Sequence, residues 1–213
     1  MDSIQTQIDT YLQKLLELQF HVSEPITHKP TKGKLRENFI HQMVSEQFPK
    51  LILKSGILCS QDWQSTQADF LWLKDSARIG NLDSYELSDC NLFMEIKSCA
   101  TAAELQAIEY TGESLKAKYS GESPLRVGMF CYSTTAKEQT ILKKIGFQYD
   151  KEIQGYSSYQ SNLDKMKHVD FLYSLNIRDD DSTVPYFVVR DYWGSCTLYK
   201  NNPVIQYFFN IFK

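Results

Sequence analysis

The run Asn91-Leu-Phe-Met-Glu-Ile-Lys-Ser98 sets a carboxylate and an ammonium, Glu95 and Lys97, inside an otherwise apolar stretch, and Asp69 stands within a second apolar run, Gln67-Ala-Asp-Phe-Leu-Trp-Leu73. Side chains alternate along a strand, so Leu92, Met94 and Ile96 would cover one face while Phe93, Glu95 and Lys97 point to the other. A stretch this apolar belongs inside a sheet. Charges placed there are unfavourable unless they pair or hold a metal, so three of them converging points to a site. On an exposed edge strand the same residues would be an ordinary solvated pair. The neutral neighbours, and the helix that follows at once, favour the interior.

The rest of the chain supplies a frame for these strands. Ile4, Ile8, Tyr11, Leu12, Leu15 and Leu16 recur at helical spacing and predict an amphipathic helix over residues 3–20, packed on the core. His21 to Gly33, with Pro25 and Pro30 inside it, reads as a linker before a helix over 34–47, whose stripe is Leu35, Phe39, Met43 and Val44. Strands follow at 51–59, 67–73 and 91–98, with a polar connection from Lys74 to Cys90. Thr101-Ala-Ala-Glu104 resembles a capping box opening a helix to Lys118. A strand over 125–132 and a helix over 134–145 complete the series. Helix, three strands, helix, strand, helix predicts an α/β sandwich with a central mixed β-sheet flanked by helices.

The spacing resembles the PD-(D/E)xK nuclease superfamily, in which an acidic residue on one strand meets a Glu-x-Lys on the next. A wider stretch, roughly residues 30 to 175, is similar to its poorly characterised restriction-endonuclease-like domains: Gly33-Lys-Leu-Arg36-Glu37, Ser65-Thr-Gln67-Ala-Asp69 and Glu95-Ile-Lys97-Ser98. No proline precedes Asp69, a departure from the name motif that leaves the ligand set intact. The resemblance implies a restriction-endonuclease-like core with Asp69 and Glu95 holding a divalent cation, Mg²⁺ or alternatively Mn²⁺. The Ile96 carbonyl would be a further ligand and Lys97 would stand beside the attacking water. Hard cations prefer oxygen donors and lower the pKa of bound water, which accounts for these residue types. Glu37 would be an extra acidic ligand or a solvated helix residue, with His41 four positions on as a helix-surface histidine. Gln67, two residues before Asp69, would share its face and complete the shell, or would be a plain strand-start residue. Gln106 and Tyr110 match the Gln-x-x-x-Tyr pattern of RecB-type nucleases. The expected function is metal-dependent hydrolysis of nucleic acid, most simply DNA, in restriction or antiviral defence. The alternative is an inactive nuclease-like fold that binds nucleic acid or protein.

With 213 residues the chain has the length of one domain: an N-terminal helix and linker (1–30), a catalytic core (31–150) and an aromatic-rich extension of that core (151–213). A net charge of −3 gives no overall excess to neutralise phosphates, so nucleic-acid affinity must come from local patches such as Lys29, Lys32, Lys34 and Arg36, or from a partner. Five cysteines without a Cys-x-x-Cys pair suit a reducing compartment and offer no zinc site. No stretch reaches the length of a membrane span and none reads as a signal peptide, so the expected location is cytoplasmic, with no membrane partner. Aromatics crowd the tail from Tyr156 to Phe212, where strands at 169–175, 184–190 and 196–199 and a helix opened by Pro203 are expected. They would stack bases, fill a core, or form part of a homodimer or partner interface.

Overall fold

The computed structural model describes residues 3–76, 78–80, 82–158, 165–178, 183–200 and 203–213. Its helices are α1 (Ile4–Ser23), α2 (Lys29–Gln47), α3 (Ala102–Lys118), α4 (Glu138–Ile145) and α5 (Ile205–Phe209). Its strands are β1 (Ile52–Ser60), β2 (Trp63–Leu73), β3 (Ser84–Glu86), β4 (Cys90–Ala100), β5 (Arg126–Thr134), β6 (Phe147–Asp150), β7 (Gly155–Ser158), β8 (Phe171–Ser174), β9 (Tyr186–Arg190) and β10 (Cys196–Lys200). The expected architecture is the one observed: a mixed sheet of eight strands, in the order β10-β9-β8-β5-β4-β2-β1-β3, flanked by helices. Strands β4, β5 and β8 run parallel at its centre, while β1 with β2, β2 with β4, and β8-β9-β10 are antiparallel. Among the described residues no helix is long and apolar enough to cross a membrane.

Each face of the sheet has its own core. On one, Leu105, Ile108 and Leu115 of α3 and Ile141, Leu142 and Ile145 of α4 pack on Leu71, Phe93, Val127 and Met129. On the other, Leu16 of α1, Ile40, Met43 and Val44 of α2, and Ile205, Phe208 and Phe209 of α5 pack on Phe70, Leu92, Met94, Ile96 and Phe130. Strand β4 serves both cores, which is why its apolar run is continuous. Its alternation is the expected one, with Leu92, Met94 and Ile96 on the α2 side and Phe93 on the α3 side.

Several expectations need correction. The stretch from His21 to Gly33 is no linker: α1 runs to Ser23 and α2 begins at Lys29, capped by His28. Pro30 lies in the first turn, where a missing N–H costs nothing. The helix after β5 starts at Glu138, because Thr134 is the last residue of the strand. The connection from Lys74 to Cys90 contains β3, which pairs parallel to β1 and forms the edge of the sheet. Most tail aromatics are also accounted for within the chain. Phe171, Tyr173, Phe187, Phe208 and Phe212 are buried, with the Phe130 and Tyr173 rings stacked 4.9 Å apart. Tyr192 and Trp193 are exposed, and Tyr159 lies outside the described residues.

On α1 the expected apolar face is two faces. Leu16 is buried along with the polar Asp9, Gln13 and Ser23, whereas Ile4, Ile8 and Tyr11 face solvent.

Strand β3 can dock only because residue 56 is glycine. A Cβ there would lie 2.1 Å from the Asp83 carbonyl oxygen, and φ is +154°; the next amide, Ile57, donates to that same oxygen at 2.8 Å. Gly56→Ala should therefore lose about 2–3 kcal/mol of stability from overpacking and a strained backbone. Urea unfolding checks this, and an unchanged midpoint would contradict the docking.

Candidate active site

Asp69, Glu95 and Lys97 meet on the face of β2 and β4 that packs toward α3. Phe70 pairs with Met94 and Leu71 with Phe93, so one further step sets Asp69 across from Glu95. The Asp69 carboxylate accepts from the Ile96 amide at 2.8 Å, which fixes it to the neighbouring strand. Lys97 Nζ donates to Glu95 Oε2 at 2.6 Å and reaches Asp69 Oδ2 at 3.5 Å. One ammonium thus lies between two carboxylates. All three side chains are partly open, 20% for Asp69, 16% for Glu95 and 28% for Lys97, so water and substrate can reach them.

The electrostatics follow from this crowding. Burial holds the Glu95 carboxyl above the usual range; the Lys97 hydrogen bond opposes that, and the charge of Asp69 adds to it. Burial on its own would lower Lys97. The hydrogen bond and charge of Glu95, with the charge of Asp69, outweigh it and keep the ammonium above the ordinary lysine range.

Helix α2 crosses this region from the other face of the sheet. His41 Nε2 donates to the Asp69 carbonyl oxygen at 2.9 Å, and its ring packs 4.5 Å from that of Phe70. Burial lowers its pKa, which suits a neutral ring holding the strand in place. His41 is thus a positioning contact for Asp69 where sequence reasoning saw only a helix surface. Its one signal was its place four residues after Glu37. Glu37 pairs with Lys34 at 3.1 Å, and among the described residues no group of three or more His, Cys, Asp or Glu converges, so it does not join Asp69 and Glu95 here. Ile96 contributes its amide to the site while its side chain is buried in the opposite core.

Gln67 departs from the expected placement. Between Leu71 and Ala68 strand β2 takes three steps while its partner β1 takes two, from Lys54 to Gly56. This bulge breaks the alternation that would carry Asp69's face to Gln67, which is exposed. Gln106 and Tyr110 share one exposed side of α3, beside Lys143, Lys144 and His168, and do not line up with the carboxylates. The basic residues expected ahead of the helix lie in the first two turns of α2: Lys29, Lys32 and the buried Arg36 border a cleft of about 580 Å³ with Glu24, which pairs with Lys32 at 3.4 Å, and with Ser98 and Cys99, the residues that follow Lys97 on β4.

No protein-family model matches the sequence, and no curated protein matches it. Solved structures share its fold, among them three of NucC. NucC from P. aeruginosa ATCC27853, in a cAAA-bound form, superposes with a TM-score of 0.71 at 15% identity over 99% of this chain and 90% of that one. NucC from E. coli MS115-1 gives 0.69 at 14% identity in its cAAA-bound form, over 99% and 89%, and 0.62 at 13% identity in its apo form, over 99% and 90%. The restriction-endonuclease-like fold expected from the motifs is therefore present at low sequence identity.

Because folding raises the Glu95 pKa, this group's contribution to stability is greatest while it is protonated and declines as pH climbs from the unfolded carboxyl value, about 4.3, through the folded one. In EDTA, Glu95→Gln should melt higher than wild type at neutral pH, with the difference shrinking as pH falls toward about 4. A lower melting point at neutral pH would show that the ion pair with Lys97 outweighs burial.

Proposed function

We propose that the chain is a metal-dependent nuclease hydrolysing phosphodiester bonds, most simply in DNA. What carries the reading is the convergence of the Asp69 and Glu95 carboxylates on one half-buried point of a sheet, an unfavourable arrangement that a scaffold does not need. Two carboxylates, joined among the described residues by no third acid, histidine or cysteine, suit a hard cation that keeps several waters, such as Mg²⁺ or Mn²⁺. Asp69 and Glu95 would hold it, with the Ile96 carbonyl as a further donor; when bound, such a cation acidifies water and neutralises charge on the phosphate. The Ile96 amide and His41 keep Asp69 in register with Glu95. Lys97 orients the attacking water and offers positive charge to the phosphate. Glu37 and Gln67, outside the group, are not needed for this reading. The cleft bordered by Lys29 and Lys32 supplies the local positive charge that a chain of net charge −3 needs for a phosphate backbone. Restriction or antiviral defence is the setting we suggest, by analogy of fold.

The neighbours add a second element. Two were solved with cAAA, and the E. coli chain matches this one better in that form than in its apo form. We propose that this chain also binds cAAA. A rise in melting temperature on adding cAAA is the expected result, and its absence at saturating ligand would remove this part alone.

Incubating the protein with linear, circular and single-stranded DNA and RNA, in Mg²⁺, Mn²⁺ or EDTA, tests the activity. Asp69→Ala and Glu95→Ala should abolish cleavage and weaken metal binding with the fold intact. Lys97→Ala should lower turnover by about two orders of magnitude while metal binding persists. Full activity in either carboxylate variant would sink the assignment. A wild-type chain that binds nucleic acid without cutting it would instead be a binding module.

A further inference from the structure

Helices α3 and α4 and the turn that leads into β8 enclose a cavity of about 590 Å³ that the proposed hydrolysis does not use. The turn is fixed in place from two elements. On α3, Gly112 permits close approach, since a Cβ there would lie 2.5 Å from the His168 carbonyl oxygen. One turn earlier the Glu109 carboxylate, 9% exposed, accepts the His168 amide at 3.1 and 3.3 Å. On β9, Arg190 donates to the carbonyls of Lys165 at 3.3 Å, Met166 at 3.0 Å and Val169 at 3.2 Å. Met166 is thereby held at φ +50°, a costly conformation for a residue with a Cβ. Such strain persists where the surroundings over-determine it, and it gathers at ligand sites.

The lining divides by chemistry. Lys143 and Lys144 come from the last turn of α4, and Lys165 and Lys167 from the turn before β8. Among the described residues none of these four ammonium groups is paired with a carboxylate. Only Glu109 and Glu113 oppose them, so the cavity carries an excess of two positive charges in a chain whose net charge is −3. The α3 wall offers the Gln106 amide and, one turn on, the Tyr110 ring, which is 62% exposed. Leu105 and Met166, both buried, make an apolar floor.

We propose that this cavity binds a nucleotide through its 5′-phosphate monoester, carried either by a free nucleoside monophosphate or by the phosphorylated end of a strand. Charge selects the monoester: near neutral pH it carries close to −2, against one charge for a phosphodiester, and so matches the excess of the lining. Size agrees, because the cavity falls within the range of small-ligand sites, about 300–1,000 Å³, whereas a duplex backbone needs lysines spread along a surface. The wall opposite the lysines selects a base. An aromatic ring is a stacking platform, and a glutamine amide donates and accepts at once, as the N6 and N7 edge of adenine requires. Inorganic phosphate would leave both groups unused. This inference does not depend on the nuclease reading or on cAAA.

Calorimetric titration of the full chain with 5′-AMP in EDTA tests it. Wild type should bind one 5′-AMP per chain, with adenosine and inorganic phosphate each at least about 10-fold weaker. Lys143→Gln/Lys144→Gln should weaken 5′-AMP by at least about 10-fold with circular dichroism and melting unchanged. Tyr110→Ser should weaken 5′-AMP by about 10-fold and leave inorganic phosphate unaffected, a split that a purely structural role would not produce. Lys29→Gln/Lys32→Gln, in the cleft beside α2, should bind 5′-AMP as wild type does. The source of the nucleotide is read by displacing 5′-AMP with a short single-stranded oligonucleotide, with and without a 5′-phosphate. A strand end is the ligand if the phosphorylated oligonucleotide binds at least about 10-fold tighter than 5′-AMP and loses that advantage without its phosphate; a free nucleotide is the ligand if 5′-AMP binds as tightly. No binding of either probe at about 5 mM would overturn the proposal, as would unchanged affinity in the Lys143/Lys144 variant or adenosine or inorganic phosphate binding as well as 5′-AMP. Equal displacement by the unphosphorylated oligonucleotide would also overturn it, in favour of a groove for the strand backbone.

Discussion

The buried guanidinium of Arg36 is the contact on which the N-terminal third depends. It is 1% exposed, lies over the Phe20 ring at 4.3 Å and near Tyr132 at 5.4 Å, and binds the end of α1 through Ser23, Glu24 and Phe20. A buried cation is tolerated only when its donors are taken up, and the planar guanidinium does this while stacking between aromatic rings. Its hydrogen bond to Glu24 in turn holds that carboxyl below its usual range. The turn from α1 into α2 is thereby fixed, and with it the path of α2 over the sheet. His41, a turn and a half further along, then reaches the Asp69 carbonyl. One buried charge thus aligns the helix that steadies another charge across the sheet.

How much of this could be read in the sequence depends on how local each cause was. The two faces of β4 were legible because alternation needs no knowledge of the partner strands, and Thr101 with Glu104 forms the capping box its spacing implied. The grouping of Asp69 with Glu95 and Lys97 was legible from residue types that a dry sheet does not otherwise accept. The role of Arg36 was not, since its partners lie 12 to 16 residues upstream and act through a turn that looked like a linker. The stripes of α1 misled for a related reason. Leu12 and Leu16 interleave with Ile4, Ile8 and Tyr11 at helical spacing, so periodicity alone merges two directions into one.

The tail shows the same limit from the other side. Aromatic density signals surface that must be removed from water without saying by what. Here α5 folds beneath the sheet, and Phe208 touches the rings of Phe130, Phe171, Tyr173 and Phe187. Strands β8, β9 and β10 then widen the sheet beside β5, as the apolar runs implied.

The bulge in β2 separates two jobs that one hairpin would otherwise have to do together. Beyond it, toward Trp63, β2 pairs with β1 alone; from Phe70 to Leu73 it pairs with β4 on one side, and from Leu71 to Leu73 with β1 on the other. The position of Asp69 is therefore set by the centre of the sheet, and the length of the β1–β2 tip is free to drift. Residues added or lost at that tip over evolutionary time would change the outline of the molecule near Gln61 and leave the spacing between the two carboxylates untouched.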